Sequence, residues 1–350
     1  MGMAAHVTYL ELSDGHEHKF YEVTVDGLNV TVRYGRIGTA GLSKTTTAPT
    51  PEAAAQDAAK KITEKRKKGY ADAVAGQTAK KAVEKPRIRL HRALEPYREQ
   101  IEATLKPVVF LTLHDSAPGP LNGKVGGIPY RVKGEPWPAA PDGTPMMFLA
   151  QLNFADVPEL PGFPTAGLLQ FFIGTDDLYG CDFMRPDPEK PPVYEVRWIP
   201  LPTTDPAGLD TTTPDRAGGY SPLPAGRSVG ITGELAEHPM SDRDRLFEQA
   251  VGIDFLDERV SPDDGLMMGE WLEERYDEAT QFGHQLGGHP NFTQDDPRSP
   301  DDPRILLFQL YTDDAHDIMW GRSGVGNFFI HPDDLAQLDF GRVAYNWDCS

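Results

Sequence analysis

The chain has 350 residues, a formal net charge of −19 and 39% hydrophobic residues, which allows two or three domains with at least one sizeable core. Its two cysteines, Cys181 and Cys349, are too few for a disulfide framework and favour a reducing compartment. No apolar run approaches the ~20 residues of a membrane span, and residues 1–12 lack the basic start and apolar core of a signal peptide. Composition therefore predicts a cytoplasmic, acidic protein with no membrane partner.

Charge is distributed unevenly along the chain. Residues 1–90 hold 15 Lys and Arg against 10 Asp and Glu, whereas residues 91–350 hold 19 against 43. A nucleic acid would be repelled by the second part and tolerated only by the first, because its phosphates attract cations. We therefore expect any nucleic-acid partner at the N-terminal part and a basic protein partner at the acidic part.

A β-hairpin is predicted near the N-terminus. Two runs of alternating apolar and polar residues, 19–25 and 28–34, flank the pair Asp26-Gly27, and glycine accepts the positive φ that a tight turn requires. Alternation places Tyr34 on the apolar side of its strand. Residues 35–41 contain three glycines, which allow tight bends or the close approach of a ligand.

A helix is predicted after these glycines. Thr50 suits the N-cap, Pro51 the first turn and Gly69 the stop. The apolar stripe expected along this helix consists of Ala55, Ala58, Ala59 and Ile62. The last turns are strongly basic, with Lys60, Lys61, Lys65, Arg66, Lys67 and Lys68.

This N-terminal stretch resembles a WGR domain, the small module found in DNA-damage-responsive poly(ADP-ribose) polymerases and in many bacterial proteins. The resemblance covers about residues 6–72. It is carried by Lys19-Phe20-Tyr21, Tyr34-Gly35-Arg36-Ile37-Gly38, Gly41 and Lys67-Lys68-Gly69-Tyr70. Family members hold DNA ends or strand breaks through the Trp and Arg of the signature and nearby basic residues. Tyr34 stands here in place of that tryptophan.

The resemblance implies a site for DNA or RNA ends formed by Tyr34, Arg36, Lys44, Lys60, Lys61, Lys67 and Lys68. In such a site Arg36 would donate a bidentate pair to a phosphate, while the lysines supply diffuse attraction. The alternative is that Arg36 caps local carbonyls, the lysines form a solvated helix face and Tyr34 is a core residue. The sequence leaves both interpretations open.

A linker is predicted at residues 76–95, between a first domain at 1–75 and a second at 96–350. Residues 108–113 are predicted to form the first buried strand of the second domain. Three landmarks then occur twice in the same order, which predicts two related β-rich halves. They are Gly126-Gly127-Ile128-Pro129, 148–152 and 167–173 in the first copy, and Gly287-Gly288-His289-Pro290, 307–310 and 324–330 in the second.

Residues 97–350 resemble the YwqG family of bacterial proteins, for which no activity is established. The resemblance is carried by the landmarks above and by Trp137-Pro138, Gln294-Asp295-Asp296-Pro297, Met319-Trp320-Gly321 and the terminal Tyr345-Asn346-Trp347-Asp348. It implies an α+β fold with duplicated sheets. The expected fold class is therefore α+β, with a small antiparallel sheet and one helix followed by a larger domain of two β-rich halves.

The residues predict no catalytic, cofactor or metal site. His284 and His289, with Glu270, Asp295 and Asp296 not far off, are five residues apart in a glycine-rich stretch, and that spacing does not place them on one helical turn. A structural role is favoured for both histidines. Neither a nucleophile elbow nor a phosphate-binding loop is complete, so we expect no cofactor and no metal.

Three functions remain open. The leading hypothesis is a non-enzymatic adaptor whose first domain binds a nucleic-acid end or a protein, and whose acidic domain binds a second, basic partner. The second is an immunity-like factor of a bacterial conflict system, since acidic proteins can neutralise basic toxins through electrostatic steering. The third is an enzyme or small-molecule binder with a pocket between the repeated halves, formed by Gly126, Gly127, Gly287, Gly288 and His289.

Overall fold

The computed structural model describes residues 6–13, 18–76, 88–181, 192–214, 219–261 and 265–350. The chain divides into two compact units, residues 1–86 and 87–350, each with its own sheet. The fold class is α+β, as the sequence predicts. Within the described ranges no helix combines the length and the hydropathy that crossing a bilayer would need.

The first unit is a five-stranded antiparallel sheet with one long helix. Its elements are β1 (His6–Ser13), β2 (His18–Asp26), β3 (Asn29–Arg36), β4 (Leu42–Thr47), α1 (Pro51–Lys67) and β5 (Ala71–Asp72). The strand order is β4-β3-β2-β1-β5. Strands β1 to β4 therefore form a meander, and the predicted hairpin is its β2–β3 step.

The helix begins and ends where its sequence signals predict, and the hairpin forms as predicted except that its loop is Gly27-Leu28 rather than Asp26-Gly27, because Asp26 pairs with Asn29. Gly27, with a φ of +58°, lies in the two-residue loop between β2 and β3. The Thr50 hydroxyl accepts a hydrogen bond from the Ala53 N–H at 3.2 Å, which caps α1. Gly69 follows the helix with a φ of +89°. Apart from the hairpin loop, these local predictions are confirmed.

The stripe through which α1 packs differs from the prediction. Ala54 and Ala58 are buried against valines of β2 and β3, and Ile62 packs beside them, whereas Ala55 and Ala59 are exposed. Alanines are so frequent in the first two turns of α1 that several phases of the helix would bury small apolar side chains. Contact with the sheet, rather than the local pattern, selects the phase.

The second unit contains a ten-stranded antiparallel sheet with the order β10-β9-β8-β7-β11-β6-β12-β13-β14-β15. Its strands are β6 (Lys106–His114), β7 (Lys124–Gly126), β8 (Met147–Asn153), β9 (Leu168–Ile173), β10 (Tyr194–Ile199), β11 (Ser228–His238), β12 (Gln285–Gly287), β13 (Ile305–Tyr311), β14 (Val325–Ile330) and β15 (Ala344–Asp348). Its helices are α2 (Arg98–Ala103), α3 (Phe247–Val251), α4 (Met268–Ala279) and α5 (Pro332–Ala336), with 3-10 turns at Arg92–Tyr97, Pro206–Gly208 and Asp314–His316.

The sheet consists of two halves related by an approximate twofold axis between β6 and β11. Strands β7 to β10 continue outward from β11, and the equivalent strands β12 to β15 continue outward from β6. Strands β8 and β13 carry the same bulge, between Phe148 and Ala150 and between Leu306 and Phe308. The predicted duplication is confirmed. Because β6 belongs to the first copy in sequence and β11 to the second, each half is completed by the long strand of the other copy.

Buried amides occupy equivalent places in the two halves. The Gln151 side-chain oxygen accepts a hydrogen bond from the Tyr130 N–H at 2.9 Å, and Gln309 accepts one from the Asn291 N–H at 2.8 Å. One strand further out the amides donate to the carbonyls of the same two residues, Gln170 to Tyr130 at 2.7 Å and Asn327 to Asn291 at 3.0 Å. Each half thus ties its Gly-Gly-x-Pro turn to the sheet through the same polar network.

A second core of the larger unit lies among α2, α3, α4 and the segment before β6. Leu94, Ile101 and Tyr276 are fully buried there. Ile88 and Leu90 pack against this core, so residues 88–95, which the sequence places in the linker, belong to the packed part of the unit. The remainder of the predicted linker, residues 77–87, lies outside the described residues.

Acid sensitivity is expected from His238, whose ring lies edge-on to Phe110 at 5.1 Å and to Phe282 at 4.6 Å. Burial lowers the pKa of His238 to about 4 from its ordinary value, and the neighbouring His289 contributes in the same direction. Protonation therefore favours the unfolded chain, and stability present above about pH 6.5 is lost as the pH falls towards 4. We expect the wild type to lose about 2 kcal/mol more than His238→Phe between about pH 7 and 4.5 in urea unfolding followed by tryptophan fluorescence. Equal losses in both proteins would contradict this assignment.

Candidate nucleic-acid interface

The helix-bearing face of the small sheet ends in a tyrosine platform. The register pairs Tyr21 on β2 with Tyr34 on β3, and their rings stack with centroids 6.4 Å apart. Tyr34 is 45% exposed, because α1 covers the valines of this face but not its end. Leu42, its 67% exposed partner on β4, extends the same patch. Tyr34 is therefore neither a core residue nor an isolated surface side chain.

Lys65 places a cation on this platform. Its ammonium lies 4.5 Å from the centroid of the Tyr21 ring and 5.0 Å from that of Tyr70, which packs edge-on against Tyr21 at 6.5 Å. Burial, followed by the negative charges of acidic residues on α1, raises the pKa of Tyr21. Lys65 is absent from the predicted site. Its position seven residues after the buried Ala58 would have revealed that it continues the sheet-facing stripe.

Arg36 lies beside the platform. Arg36 follows Tyr34 by two residues on β3, so strand alternation places both side chains on the same face of the sheet. Its side chain is exposed and has no hydrogen-bond or ion-pair partner among the residues that the structure describes. The backbone beneath it is held, since the Thr39 N–H and hydroxyl both donate to the Arg36 carbonyl, at 3.1 and 2.8 Å. Among the described residues the Arg36 guanidinium therefore does not cap local carbonyls, which was the alternative interpretation.

The opposite face of the sheet is different, because its arginine is neutralised. Arg33 donates two hydrogen bonds to the Glu22 carboxylate, at 2.9 and 2.8 Å, and its guanidinium lies 4.6 Å from the centroid of the Phe20 ring. Its role is structural. Of the two arginines on β3, the one that can bind an anion is therefore on the tyrosine face.

The predicted lysines of α1 do not converge on one patch. Lys60 and Lys67 lie about 200° and 180° around the helix from the buried Ala58, so they point away from the sheet. Lys61 is on a flank of the helix and makes an ion pair of 2.5 Å with Asp57. Only part of the basic run therefore adds to the field around the platform.

The remaining predicted cations lie on the platform side. An ion pair of 2.7 Å between Arg66 and Asp72 turns one flank of α1 towards β5. The other flank, with Lys61 and Lys68, consequently faces β3 and β4. Lys44 on β4 pairs with Val32 and so shares the helix-bearing face with Tyr34. Tyr34, Arg36 and Lys44 therefore share one face of the sheet by register, and Lys65 contacts Tyr21 on that face.

The glycines of the predicted pocket are not brought together. Gly126 pairs with Ser228 near one end of the central strands, and Gly287 pairs with Val108 near the other. The two turns are roughly 25 Å apart along the strands, at about 3.3 Å per residue. A cavity of about 370 Å³ does contact Gly127, but its lining includes no residue from 285–291. The approximate twofold axis explains this, because it sends equivalent turns to opposite ends of the sheet.

The histidines near the second glycine pair have separate structural partners. The His284 Nδ1 accepts a hydrogen bond from the Tyr311 N–H at 3.1 Å, so its Nε2 carries the proton and donates to Asp313 at 3.2 Å. His289 is 1% exposed, and its Nε2 donates to the Thr104 carbonyl at 2.7 Å. Within the described ranges no group of three or more His, Cys, Asp or Glu side chains could hold a metal ion.

These features define a two-unit α+β protein whose small sheet-and-helix module carries an aromatic and cationic surface. A family model described as "WGR domain" matches residues 6–77, and one described as "Domain of unknown function (DUF1963)" matches residues 123–349. The second match covers more than half of the chain, so the chain belongs to the DUF1963 family.

One solved structure with sequence similarity is a crystal structure of a protein from Bacteroides fragilis, determined by a structural genomics consortium. It is 28% identical to this chain over 26% of this chain and 26% of that chain, with a TM-score of 0.22. The chain thus spans about a quarter of the length of that protein. A comparison with curated proteins finds no match.

Proposed function

We propose that the first unit binds the ends of nucleic acids and that the protein is a non-enzymatic adaptor. The observation that carries this proposal is the partly exposed Tyr34 ring stacked on Tyr21, with the exposed guanidinium of Arg36 on the same face and unpaired among the described residues. The match to the WGR domain supports it, because WGR domains are nucleic-acid-binding modules. A terminal base pair offers a flat π-face next to a phosphate, and an exposed aromatic ring beside a guanidinium complements both.

The groups divide the work by chemical type. Tyr34 supplies a stacking surface that tolerates any base, since every base has a π-face. Arg36 supplies the planar donor fork that suits a phosphate. Lys44 and Lys68 add a diffuse positive potential that attracts the phosphate backbone without reading sequence. The proposed complex is therefore sequence-tolerant and sensitive to salt.

Arg36→Ala is expected to weaken binding to a 5′-phosphorylated duplex about tenfold, because it removes a charge-assisted phosphate contact. Fluorescence anisotropy with labelled duplexes, single strands and RNA, each at two salt concentrations, measures this loss. The same variant should discriminate less between 5′-phosphorylated and unphosphorylated ends, since the guanidinium of Arg36 is the group that binds the terminal phosphate in the proposed complex.

Lys67→Ala is the matched control, because it removes one positive charge from the side of α1 that points away from the platform. It should weaken binding much less than Arg36→Ala at the same salt concentration. Equal effects of the two variants would reduce the interaction to a general charge attraction. Absence of binding to every probe at low salt would refute the proposal.

The second unit is proposed to bind a basic protein partner. Residues 91–350 contain four lysines, and one of them, Lys124, is buried. Arginines are largely paired within the unit, for example Arg197 with Glu135 at 2.7 Å and Arg131 with Asp210 at 2.8 Å. The carboxylates in excess therefore dominate the outward charge, which repels nucleic acids and attracts cationic proteins.

A basic toxin of a bacterial conflict system is the second candidate partner class, favoured by this same acidic surface. Affinity capture with the full chain at low and high salt, followed by mass spectrometry, should recover basic proteins only at low salt. Recovery of no basic protein would contradict this part of the proposal. A cytoplasmic location, for which the two cysteines are the support, belongs to the same proposal. A relationship of the DUF1963 region to the YwqG family, supported by the sequence resemblance, belongs to it as well.

A further inference from the structure

The two halves of the large sheet differ at one equivalent place, beneath the third residue of the Gly-Gly-x-Pro turn. The glycines of both turns have nearly equal φ values, +70° and +75° at Gly126 and Gly127 and +68° and +72° at Gly287 and Gly288. The backbone therefore gives the side chain of the third turn residue a similar direction in each half. In the second half that side chain is His289, which is 1% exposed and donates to the Thr104 carbonyl at 2.7 Å.

In the first half the same place is open. The third residue is Ile128, which is 45% exposed and lines a cavity of about 370 Å³. Pro118, Pro120 and Leu209 contribute apolar surface to this cavity, and Ser228 contributes a hydroxyl. The volume is at the small end of the range that ligand sites usually occupy. The loop after β10 forms one wall, as residues 209–211 pack back over it.

The wall of this cavity contains a buried lysine for which the described residues provide no counter-ion. Lys124 is 2% exposed, and its ammonium donates to three carbonyls, those of Gly119 at 2.6 Å, Ile128 at 3.2 Å and Pro120 at 3.4 Å. No carboxylate among the described residues is paired with it. Burial alone lowers the pKa of Lys124 to about 8. A buried ammonium is unfavourable without a nearby negative charge, even when all its hydrogen bonds are made. An anion bound nearby would offset that electrostatic cost.

The other charged side chains of the lining cancel. Arg131 and Asp210 form an ion pair of 2.8 Å, and Arg131 is also held by the carbonyls of Glu135 and Thr212 at 2.9 and 2.8 Å. Among the described lining residues one positive charge, that of Lys124, is therefore not balanced. The Ser228 hydroxyl makes only a long contact of 3.5 Å with the Gly126 carbonyl, so it can donate to a ligand.

We propose that this cavity, lined by Lys124, Ile128 and Ser228, binds a small monoanion with an apolar body, such as a carboxylic acid. The anionic group lies against the Ser228 hydroxyl and close to the buried ammonium, and the apolar body lies among Pro118, Pro120 and Leu209. The site belongs to the second unit alone, so it is independent of nucleic-acid binding by the first.

The second half of the sheet supplies the decisive variant. Gln285 occupies the position of Lys124 there, and its side-chain amide donates to the His289 carbonyl at 2.7 Å, as Lys124 donates to that of Ile128. Lys124→Gln therefore removes the charge while keeping a side chain that the fold already uses at this place. Ile128→Trp provides a second variant, because a larger side chain at the exposed mouth should occupy part of the cavity.

The experiment titrates the chain of residues 1–350 with benzoate, neutral benzamide and cationic benzylamine, observing the methyl NMR signals of Ile128 and Leu209. Benzoate should shift these signals, benzamide should bind more weakly and benzylamine least. Lys124→Gln should weaken benzoate binding about tenfold and remove the preference over benzamide. Ile128→Trp should abolish binding without lowering the unfolding temperature.

The proposal is overturned if hexanoate, phenyl phosphate and benzoate all leave these signals unchanged in the wild type. It is equally overturned if benzoate binds Lys124→Gln as tightly as the wild type, or shifts only signals remote from the cavity. Should Lys124→Gln fail to fold, Ile128→Trp and the charge series of probes on the wild type decide the question.

Discussion

Gly41→Ala is expected to destabilise the first unit by on the order of 3 kcal/mol and to abolish binding to nucleic-acid ends. Gly41 has a φ of +69°, and a Cβ there would lie 2.5 Å from the Phe20 ring and 2.6 Å from the Tyr34 carbonyl oxygen. The ring could rotate, but the carbonyl cannot move without shifting β3. The substitution therefore displaces the strand that presents both Tyr34 and Arg36.

Gly27→Ala is the control, since it has a similar φ of +58° but nothing within 4 Å of its Cβ. Gly27→Ala should lower the free energy of unfolding only by the strain of a positive φ in alanine, about 1 kcal/mol. All five tryptophans lie in the second unit, so their fluorescence is blind to this change. Hydrogen exchange of β2 and β3 amides reports on the first unit instead. Equal exchange in the two variants would show that the close contact at Gly41 is not what holds the strand.

Gln151→Leu is expected to lower the free energy of unfolding of the second unit by about 3 kcal/mol. The side chain is fully buried and links the Tyr130 N–H, at 2.9 Å, to the carbonyls of Pro120 and Asn122, both at 2.9 Å. Leucine fills the space but leaves a buried N–H and buried carbonyl lone pairs without partners. Urea unfolding followed by tryptophan fluorescence measures the loss.

Two further variants test the reason for that loss. Gln309→Leu, the equivalent change in the other half, should cost less, because among the described residues its amide donates only one hydrogen bond, to the Gly283 carbonyl at 2.8 Å. Leu152→Met conserves volume next to Gln151 and should cost less than about 1.5 kcal/mol. If Leu152→Met were as damaging as Gln151→Leu, packing rather than unpaired polar groups would explain both.

Local structure in the first unit could be predicted from sequence because each signal acts over a few residues. A glycine with positive φ closes the hairpin, and Thr50 with Pro51 begins the helix. The phase of α1 could not be predicted, since its abundant alanines make several stripes equally apolar. That phase decides which lysines face the platform. The unpredicted helix phase explains both errors in the predicted site, which omits Lys65 and includes Lys60.

The duplication in the second unit could be predicted because its landmarks recur in order. The strand pairing could not be predicted. No local signal distinguishes a long strand that pairs within its own half from one that pairs with a strand of the other half. The exchange of β6 and β11 is what separates Gly126 from Gly287 and rules out one pocket shared by both. The cavity by Lys124 also escapes sequence analysis, since it is visible only through the difference between Ile128 and its buried counterpart His289.

The exchanged strands also determine when the larger unit can finish folding during synthesis. Strand β7 leaves the ribosome more than a hundred residues before its partner β11, so its inner edge has no native neighbour during that interval. Its eventual pairing closes a long loop, a slow step by chain entropy. The first half of the sheet therefore keeps an unpaired strand edge until β11, at the start of the second copy, has been synthesised. Neither half of the sheet can be complete before that point.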